Sequence, residues 1–313
     1  MDSSSKRPGG INRVLVAGSA NMDLVFGTDR LPKPGETILG HSFATHPGGK
    51  GANQAVAAAK LGSPVSFVGK VGNDVFGDVL AESIGSYGVD LAYLQRTETA
   101  TGTACILVDR NGQNSIVVAP GANAELAPSE VAAAIEELRP TVVLTQLETN
   151  LEVVRSIRPS ADRSFFFILN PAPSGPLPDE VLASADLVTP NELETEAMVG
   201  ILPGDDASCL LAAARLFDRG AKAAIFTLGA RGSFYADPAG GRHYPTLNVR
   251  AIDTTAAGDA FNGALAAFLA EGRDLANAIP LANCVGALST TKAGAQGSIP
   301  TRDELREVAD ALL

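Results

Sequence analysis

Short runs of consecutive apolar residues, each ending in polar or glycine-rich text, alternate along the chain with longer helical stretches. The apolar runs that predict strands lie at 13–18, 65–72, 141–148, 164–170, 185–191 and 223–232. The stretches that predict helices lie at 52–62, 128–139, 192–200 and 207–220. Continuously apolar strands are typical of a parallel sheet that is covered on both faces. The pattern therefore predicts an α/β fold with a doubly wound, mostly parallel sheet and helices on both of its faces.

Two segments depart from this pattern and indicate antiparallel strands. They lie at 35–49 and 100–123, and the second contains an Asn111-Gly112 pair that favours a hairpin turn. We expect them to form a small β-sheet lid, inserted at about 21–48 and 98–121 in a single domain over 13–313. Residues 1–12, which begin MDSSSKRPGG, are expected to be a disordered tail.

Parallel open sheets bind ligands beyond the carboxyl ends of their strands. Polar or glycine residues at the predicted strand ends are therefore the first candidates for a site. They are Glu148, Asn170, Asn191, Thr227, Gly229 and the loop 253–259.

Composition and charge narrow the classes of partner. Of 313 residues, 45% are hydrophobic and 19% charged, which is enough apolar material for a large core. The net charge of −11 disfavours nucleic acid, which requires a basic face, so an anionic ligand would have to be held by local groups. Three cysteines and three histidines show no metal-ligand spacing. With no long apolar segment and no signal-peptide core, we expect a cytoplasmic protein without a membrane partner.

The stretch GGKGANQA at 48–55 combines two adjacent glycines with the start of a helix. Glycines let the backbone approach a ligand closely, and helix N-termini attract anions. Ala44 and Gly51 occupy positions where a Walker A loop needs Gly and Ser or Thr, so that loop is excluded. Lys50 and Asn53 would carry the polar chemistry of a site, and a plain turn before a helix is the alternative.

The stretch SANMDLV at 19–25 follows the first predicted strand. If the chain stays extended, Asn21 and Asp23 point to the same side, and Met22 points away from them into packing. A carboxylate and a carboxamide on one face suit the hydroxyls of a polyol, although a surface turn explains the same text.

The stretch DTTAAGDAFNGA at 253–264 places Asp259 where a helix is predicted to begin. An ordinary first-turn acid, stabilised by about 0.3–1 kcal/mol, would explain the aspartate alone. It would not explain the small residues Ala256, Ala257 and Gly258, which leave backbone N–H groups open to an anion. A carboxylate beside a bound phosphate is repulsive unless it acts as a base toward an attacking hydroxyl. The combination therefore predicts phosphoryl transfer.

The stretches GGKGANQA and DTTAAGDAFNGA are similar to the two signature patterns of the ribokinase/phosphofructokinase-B family of carbohydrate kinases, and they occur in the same order. The chain resembles that family from about residue 13 to about residue 300. The segments SANMDLV, LPKPGET, QLE, NPAP, NE and KAGAQGS are also similar to ribokinase-type members of that family. The resemblance implies ATP-dependent phosphorylation of D-ribose at O5, with Mg²⁺-ATP as donor and K⁺ as activator. It further implies a homodimer formed through the lid sheets.

The resemblance also implies a role for each matching residue. Asp259 would be the catalytic base, and the N–H groups of Ala256, Ala257 and Gly258 would form the anion hole. Sugar hydroxyls would be bound by Asn21, Asp23, Gly49, Lys50, Asn53 and Glu148. ATP would be bound by Asn191, Thr227, Gly229, Gly232, Gly258 and Asn283. Glu194 would hold Mg²⁺ through water. The K⁺ site would be formed by Asp253, Thr255, Ser289, Lys292, Gly294 and Ser298.

Two other functions stay open at this point. A sister kinase could act on 2-deoxyribose, a nucleoside or a ketohexose derivative, although the low aromatic content of 5% favours a free sugar over a nucleoside. A sugar-responsive binding protein on an inactive kinase fold would have no use for a base beside an anion hole. The presence of Asp259, Gly258, Asn191 and Glu194 argues against that function.

Overall fold

The computed structural model describes residues 12–158 and 164–310. Except for Asn12, the tail expected at 1–12 lies outside the described residues. The strands are β1 (Val14–Ala17), β2 (Asn21–Gly27), β3 (Ser42–Gly48), β4 (Val65–Gly72), β5 (Leu94–Thr97), β6 (Gly102–Val108), β7 (Asn114–Ala119), β8 (Val142–Thr145), β9 (Phe166–Leu169), β10 (Leu187–Val188), β11 (Ala224–Thr227), β12 (Ser233–Asp237) and β13 (Gly240–Tyr244). The α-helices are α1 (Lys50–Lys60), α2 (Val75–Ser86), α3 (Pro128–Leu138), α4 (Leu151–Ser156), α5 (Asp179–Ser184), α6 (Glu192–Val199), α7 (Asp206–Asp218), α8 (Ala257–Ala270), α9 (Leu275–Ser289) and α10 (Arg302–Asp310).

The main sheet has nine strands in the order β13-β12-β11-β10-β9-β8-β1-β4-β5. The seven strands from β11 to β5 are parallel, and β12 and β13 add an antiparallel edge. The predicted doubly wound, mostly parallel sheet is confirmed. The antiparallel edge was not foreseen.

Alternate residues of each central strand pack on opposite faces of this sheet. In β1, Val14 and Val16 join the core formed with α1, α8 and α9, whereas Leu15 and Ala17 join the core formed with α3, α5 and α7. All four side chains have zero exposure. Because helices cover both faces of the sheet, every position of the strand is apolar. This explains why the sequence of β1 is a continuous run of apolar residues.

A second, smaller sheet has the strand order β3-β2-β6-β7. Strand β2 pairs antiparallel with β3 and parallel with β6, and β6 pairs antiparallel with β7. Strand β3 comes from the first segment that was expected to form an additional sheet and β6 and β7 come from the second, while β2 precedes the first segment. The prediction of a strand over 35–49 is wrong before Ser42, because Pro34 and Gly35 form a turn in which Gly35 has φ 79°.

Several elements are shorter than predicted. The strand expected at 185–191 is only Leu187–Val188, because Asn191 already caps α6.

No helix among the described residues combines the length and apolar character that a membrane crossing requires.

Candidate active site

The candidate site lies at the carboxyl end of β1, which has β4 on one side and β8 on the other. This is the point at which the strand order of a doubly wound sheet reverses and where such folds bind ligands. Hydrogen bonds join the loop after β1, the start of α1 and the segment after β8. The Ser19 hydroxyl donates to Glu148 Oε2 at 2.5 Å, and the Lys50 N–H donates to the same oxygen at 3.1 Å.

Asp259 lies in the first turn of α8, as predicted, and is only 7% exposed. Each of its carboxylate oxygens accepts one carboxamide N–H: Oδ2 from Asn53 at 3.0 Å and Oδ1 from Gln54 at 3.0 Å. Burial raises the pKa of Asp259, while Lys50 and the two hydrogen bonds act to lower it. The result is a carboxylate with a fixed orientation and increased basicity, which are properties that a general base requires.

The chain enters α8 through a strained residue. Ala256 has φ 59°, in the left-handed region that residues with a Cβ rarely occupy. The Ala257 N–H is engaged within the loop, since it donates to the Thr254 carbonyl at 3.2 Å. Among the described residues, the N–H groups of Ala256 and Gly258 meet no acceptor, and a Cβ at Gly258 would have no neighbour within 4 Å. Two of the three amides expected to form an anion hole are therefore available.

The side chains of Asn21 and Asp23 lie on the same face of β2, and Met22 between them is 2% exposed and packs in the core. Asn21 donates to Glu148 Oε2 at 3.4 Å. A Cβ at Gly48 would lie 2.3 Å from Asp23 Oδ2, so only glycine allows β3 to approach that carboxylate. The neighbouring Gly49 has φ 90°, and a Cβ there would lie 2.6 Å from the Asn21 backbone nitrogen.

Four carboxylates and one lysine face one another in this cleft. Burial raises the pKa of Asp23 to about 7, and the charges of Glu148 and Asp259 contribute to the rise. Burial acts to lower the pKa of Lys50, but the carboxylates of Asp259, Glu148, Glu194 and Asp23 outweigh it, so the pKa is raised and the ammonium stays charged. Within this set of five side chains, the negative charge of the carboxylates therefore exceeds the positive charge of the Lys50 ammonium.

Asn191 and Glu194 cap the N-terminus of α6 reciprocally. Asn191 Oδ1 accepts the Glu194 N–H, and Glu194 Oε2 accepts the Asn191 N–H, both at 2.8 Å. The spacing of these two residues is thus explained by a capping box. Glu194 is nevertheless 6% exposed, and burial raises its pKa. The cap uses one oxygen of the Glu194 carboxylate and leaves the other for a further partner. Thr227 forms a β-bridge with Asn191, which places it beside the start of α6.

Two of the remaining residues expected to bind the nucleotide, Gly232 and Asn283, border the segment 244–246. A Cβ at Gly232 would lie 2.2 Å from the Tyr244 carbonyl oxygen, and Asn283 Nδ2 donates to the same oxygen at 3.0 Å. Gly229 has φ 56° and open space beside it. Asn283 therefore supports the segment through its amide nitrogen, and its position next to an adenine stays a prediction.

Asp253 joins the two loops expected to bind K⁺. Its Oδ1 accepts the Thr255 N–H and its Oδ2 accepts the Gly294 N–H, each at 2.9 Å. Burial acts to raise the pKa of Asp253, but these hydrogen bonds outweigh it and the pKa is lowered. The hydroxyls of Ser289 and Ser298 donate to nearby carbonyls, and the Lys292 ammonium pairs with Glu304.

Several polar residues that sequence reasoning did not assign also line the site. They are Ser19, Gln54, Asn123, Gln146 and Asn262. Asn123 Nδ2 donates to Asn21 Oδ1 at 2.7 Å and is 1% exposed. One signal was present in the text: α1 carries two adjacent carboxamides in an otherwise small and apolar stretch, ANQAVAAA. Buried carboxamides require partners, so such a pair marks a polar site.

The chain is similar in sequence and fold to known sugar kinases. The sequence pattern described as pfkB family carbohydrate kinase matches residues 11–302. The chain is 40% identical to the ribokinase of Haemophilus influenzae over 297 residues, which cover 94% of this chain and 97% of that protein. It is 37% identical to the deoxyribokinase of Salmonella typhi over 299 residues, covering 94% and 97%. The structure of Arabidopsis thaliana ribokinase complexed with ribose and ATP aligns with a TM-score of 0.86 and 31% identity, covering 96% of this chain and 99% of that one.

Proposed function

Because the chain belongs to the pfkB family of carbohydrate kinases, we propose that it transfers the γ-phosphoryl group of ATP to O5 of D-ribose, giving ribose 5-phosphate. The observation that carries the proposal is the position of Asp259. Its carboxylate is buried and oriented by two carboxamides, and the open N–H groups of Ala256 and Gly258 lie within the preceding three residues. Phosphoryl transfer needs chiefly positioning and charge stabilisation, and these groups supply both.

In this proposal Asp259 accepts the proton of the O5 hydroxyl as O5 attacks the γ-phosphorus, the bond from that phosphorus to the β-phosphate oxygen breaks, and ADP leaves. The N–H groups of Ala256 and Gly258, with the positive end of the α8 dipole, stabilise the charge on the transferring group. Asn21, Asp23, Lys50, Asn53 and Glu148 bind the sugar hydroxyls. Asn53 Oδ1 supports this role, because it is buried and has no hydrogen-bond partner among the described residues. A sugar hydroxyl would supply the missing donor.

The charge of the cleft supports a requirement for Mg²⁺. The carboxylates of Asp23, Glu148, Glu194 and Asp259 would repel the phosphates of ATP, and Lys50 alone does not balance them. Within the described ranges, no group of three or more His, Cys, Asp or Glu could hold a metal ion. Mg²⁺ does not require such a group, because it usually keeps several waters and takes one or two carboxylates together with substrate phosphates. Glu194 would hold such an ion through water, and the ion would neutralise phosphate charge.

We also propose that K⁺ activates the enzyme through the loops joined by Asp253. The donors available there are the Asp253 carboxylate and backbone or hydroxyl oxygens of Thr255, Ser289, Lys292, Gly294 and Ser298. Hard oxygen donors suit an alkali cation. An ion at this place would brace the loop that carries Ala256 without contacting the sugar.

A homodimer through the small sheets is proposed as well. Ile116 and Val117 on β7 are 51% and 69% exposed, and Phe43 on β3 is 59% exposed. These exposed apolar side chains lie on the two edge strands of the small sheet, and apolar residues at an open sheet edge favour pairing with a second copy of the chain.

The decisive experiment measures ATP consumption with ribose, 2-deoxyribose and a nucleoside, in K⁺ and then in Na⁺. We expect ribose to be the best acceptor and K⁺ to increase turnover. Asp259→Asn should lower kcat by about 10²–10⁴-fold, the usual contribution of a general base, and leave the KM for ribose largely unchanged. Asp78→Asn removes an exposed acid from the first turn of α2 and is the matched control. Normal turnover in Asp259→Asn would refute the assigned base, and a preference for 2-deoxyribose would replace the proposed acceptor.

A further inference from the structure

A chain of buried carboxamides runs behind the candidate base. Gln146 Nε2 donates to Gln54 Oε1 at 2.5 Å, and Gln54 Nε2 donates both to Asp259 Oδ1 and to Asn170 Oδ1 at 3.0 Å. Asn170 Nδ2 then donates to the Thr189 carbonyl at 3.0 Å. All five residues are at most 7% exposed, and Gln54 has zero exposure. This network therefore lies beneath the cleft, where Gln54 is shielded from solvent.

The two ends of the chain determine the direction of its hydrogen bonds. The ionised Asp259 carboxylate and the Thr189 carbonyl can only accept. Gln54 must therefore direct its NH₂ group toward Asp259 and its oxygen toward Gln146. A rotated amide would place its oxygen against the carboxylate, which is repulsive, so the NH₂ group faces Asp259.

The same network returns to the first turn of α8. Thr189 Oγ1 donates to Asn262 Oδ1 at 2.6 Å, and Asn262 Nδ2 donates to the Gly258 carbonyl at 2.9 Å. The carboxylate of Asp259 and the backbone beside it are thus held by one connected set of hydrogen bonds. Such coupled networks hold their members more rigidly than isolated bonds do.

We propose that Gln54 is a positioning residue for the phosphoryl transfer, holding the Asp259 carboxylate in the orientation that accepts the O5 proton. This inference rests on the proposed function, in which Asp259 is the base. Gln54 acts through Asp259, since its NH₂ and its oxygen are both occupied by protein partners. Its hydrogen bond also stabilises the ionised form of Asp259, so removing it raises the pKa of that base further.

The test replaces Gln54 by Met, which has a similar volume and no donor. We expect kcat to fall by about 10- to 100-fold, as for a catalytic group displaced by about 1 Å. The KM for ribose should stay largely unchanged, because Asn21, Asp23 and Lys50 are untouched. The acid limb of the kcat–pH profile should move to higher pH, since Asp259 then holds its proton more tightly. Gln54→Asn is the second variant; it keeps a carboxamide in the core but is one methylene too short to reach Asp259.

Ser66→Ala is the matched control for the loss of a buried polar contact. Ser66 has zero exposure, accepts from Arg13 at 2.6 Å and donates to Asp90 at 2.8 Å near the amino end of β4, at the far end of the sheet from the cleft. It should lower Tm without changing kcat or the pH profile.

Gln54→Met and Gln54→Asn should change both kcat and the pH profile. If they instead behave like Ser66→Ala, with a lower Tm and a normal kcat and acid limb, Gln54 is only structural and the inference is overturned. A wild-type protein that consumes no ATP with any sugar would overturn the proposed function itself, which is a different result.

Discussion

Asp23 is proposed to bind ribose, but its ionised carboxylate destabilises the folded protein because it is buried. The variant Asp23→Asn should separate these two effects, since it lowers ribose binding and raises stability. Burial, with the charges of Glu148 and Asp259, raises the pKa of Asp23 from its ordinary value of 3.8 to about 7. In the unfolded chain the carboxyl ionises above about pH 4, whereas in the folded chain it keeps its proton up to about pH 7. The stability that Asp23 contributes is therefore present below pH 3.8 and is lost as the pH rises through about 7.

The magnitude follows from the same values. At about 1.4 kcal/mol per pH unit, moving the pKa from 3.8 to about 7 costs the folded protein up to about 4 kcal/mol once Asp23 is ionised. Asparagine has nearly the same shape and no charge. Asp23→Asn should thus raise the free energy of unfolding at pH 8 by up to about 4 kcal/mol and should change it little at pH 4.

The functional cost should appear in the same variant. A charge-assisted hydrogen bond contributes about 1.5–3 kcal/mol, so losing it should raise the KM for ribose by about 10- to 100-fold at pH 8. Urea unfolding at pH 4 to 8 and KM measurements over the neutral range provide the two readouts.

Asp74→Asn is the control, because it should change the stability at neutral pH in the opposite direction. Burial acts to raise the pKa of Asp74, but hydrogen bonds from Thr101 and Gly77 lower it, so this change should destabilise the protein at neutral pH. If Asp23→Asn destabilised the protein equally at pH 4 and pH 8, the argument from burial would be refuted.

Two further changes test neighbouring parts of the cleft. Gly48→Ala places a Cβ 2.3 Å from Asp23 Oδ2 and should displace that carboxylate, so the KM for ribose should rise at least about tenfold, whereas kcat should change less. Gly175→Ala, where the nearest atom to a Cβ is 4.0 Å away, is its control, and an unchanged KM in Gly48→Ala would contradict the assignment of Asp23. Glu194→Gln keeps an oxygen for the α6 cap but removes a buried charge, so Tm should hold while the Mg²⁺ concentration for half-maximal rate rises. A Mg²⁺ titration that matches the wild-type curve would remove Glu194 from the proposed metal site.

Much of the fold could be predicted because parallel strands that are buried on both faces must be apolar at every position, as Val14–Ala17 are. The antiparallel strands β12 and β13 escaped prediction, since Ser233–Tyr244 mixes glycine, charged and aromatic residues without a clear period. Asp259 and the glycines of 48–51 could be found for a similar reason. Adjacent glycines indicate close backbone approach, and an acid at the start of a helix can be recognised from the residues next to it, so both features are visible in the local sequence.

Gln54 and Asn123 could not be assigned in the same way. The hydrogen bond from Gln54 to Asp259 joins residues 205 positions apart, and the one from Asn123 to Asn21 joins residues 102 positions apart. No spacing rule connects such distant residues, so the pair of carboxamides in α1 indicates a polar site without showing which residues it contacts.

The amino-acid sequence alone determined the alternation of apolar strands with helices, the glycines that permit close backbone approach and the place of a carboxylate at the start of a helix. These depend on steric and polar relations between neighbours in the chain, and such relations are the same in any fold. Only the tertiary structure decided that Asp23 has a pKa of about 7, that two carboxamides of α1 hold the base, and that the Ala257 amide is already engaged. Solvation and hydrogen bonding are set by whichever atoms surround a group, and folding brings those atoms from distant parts of the chain.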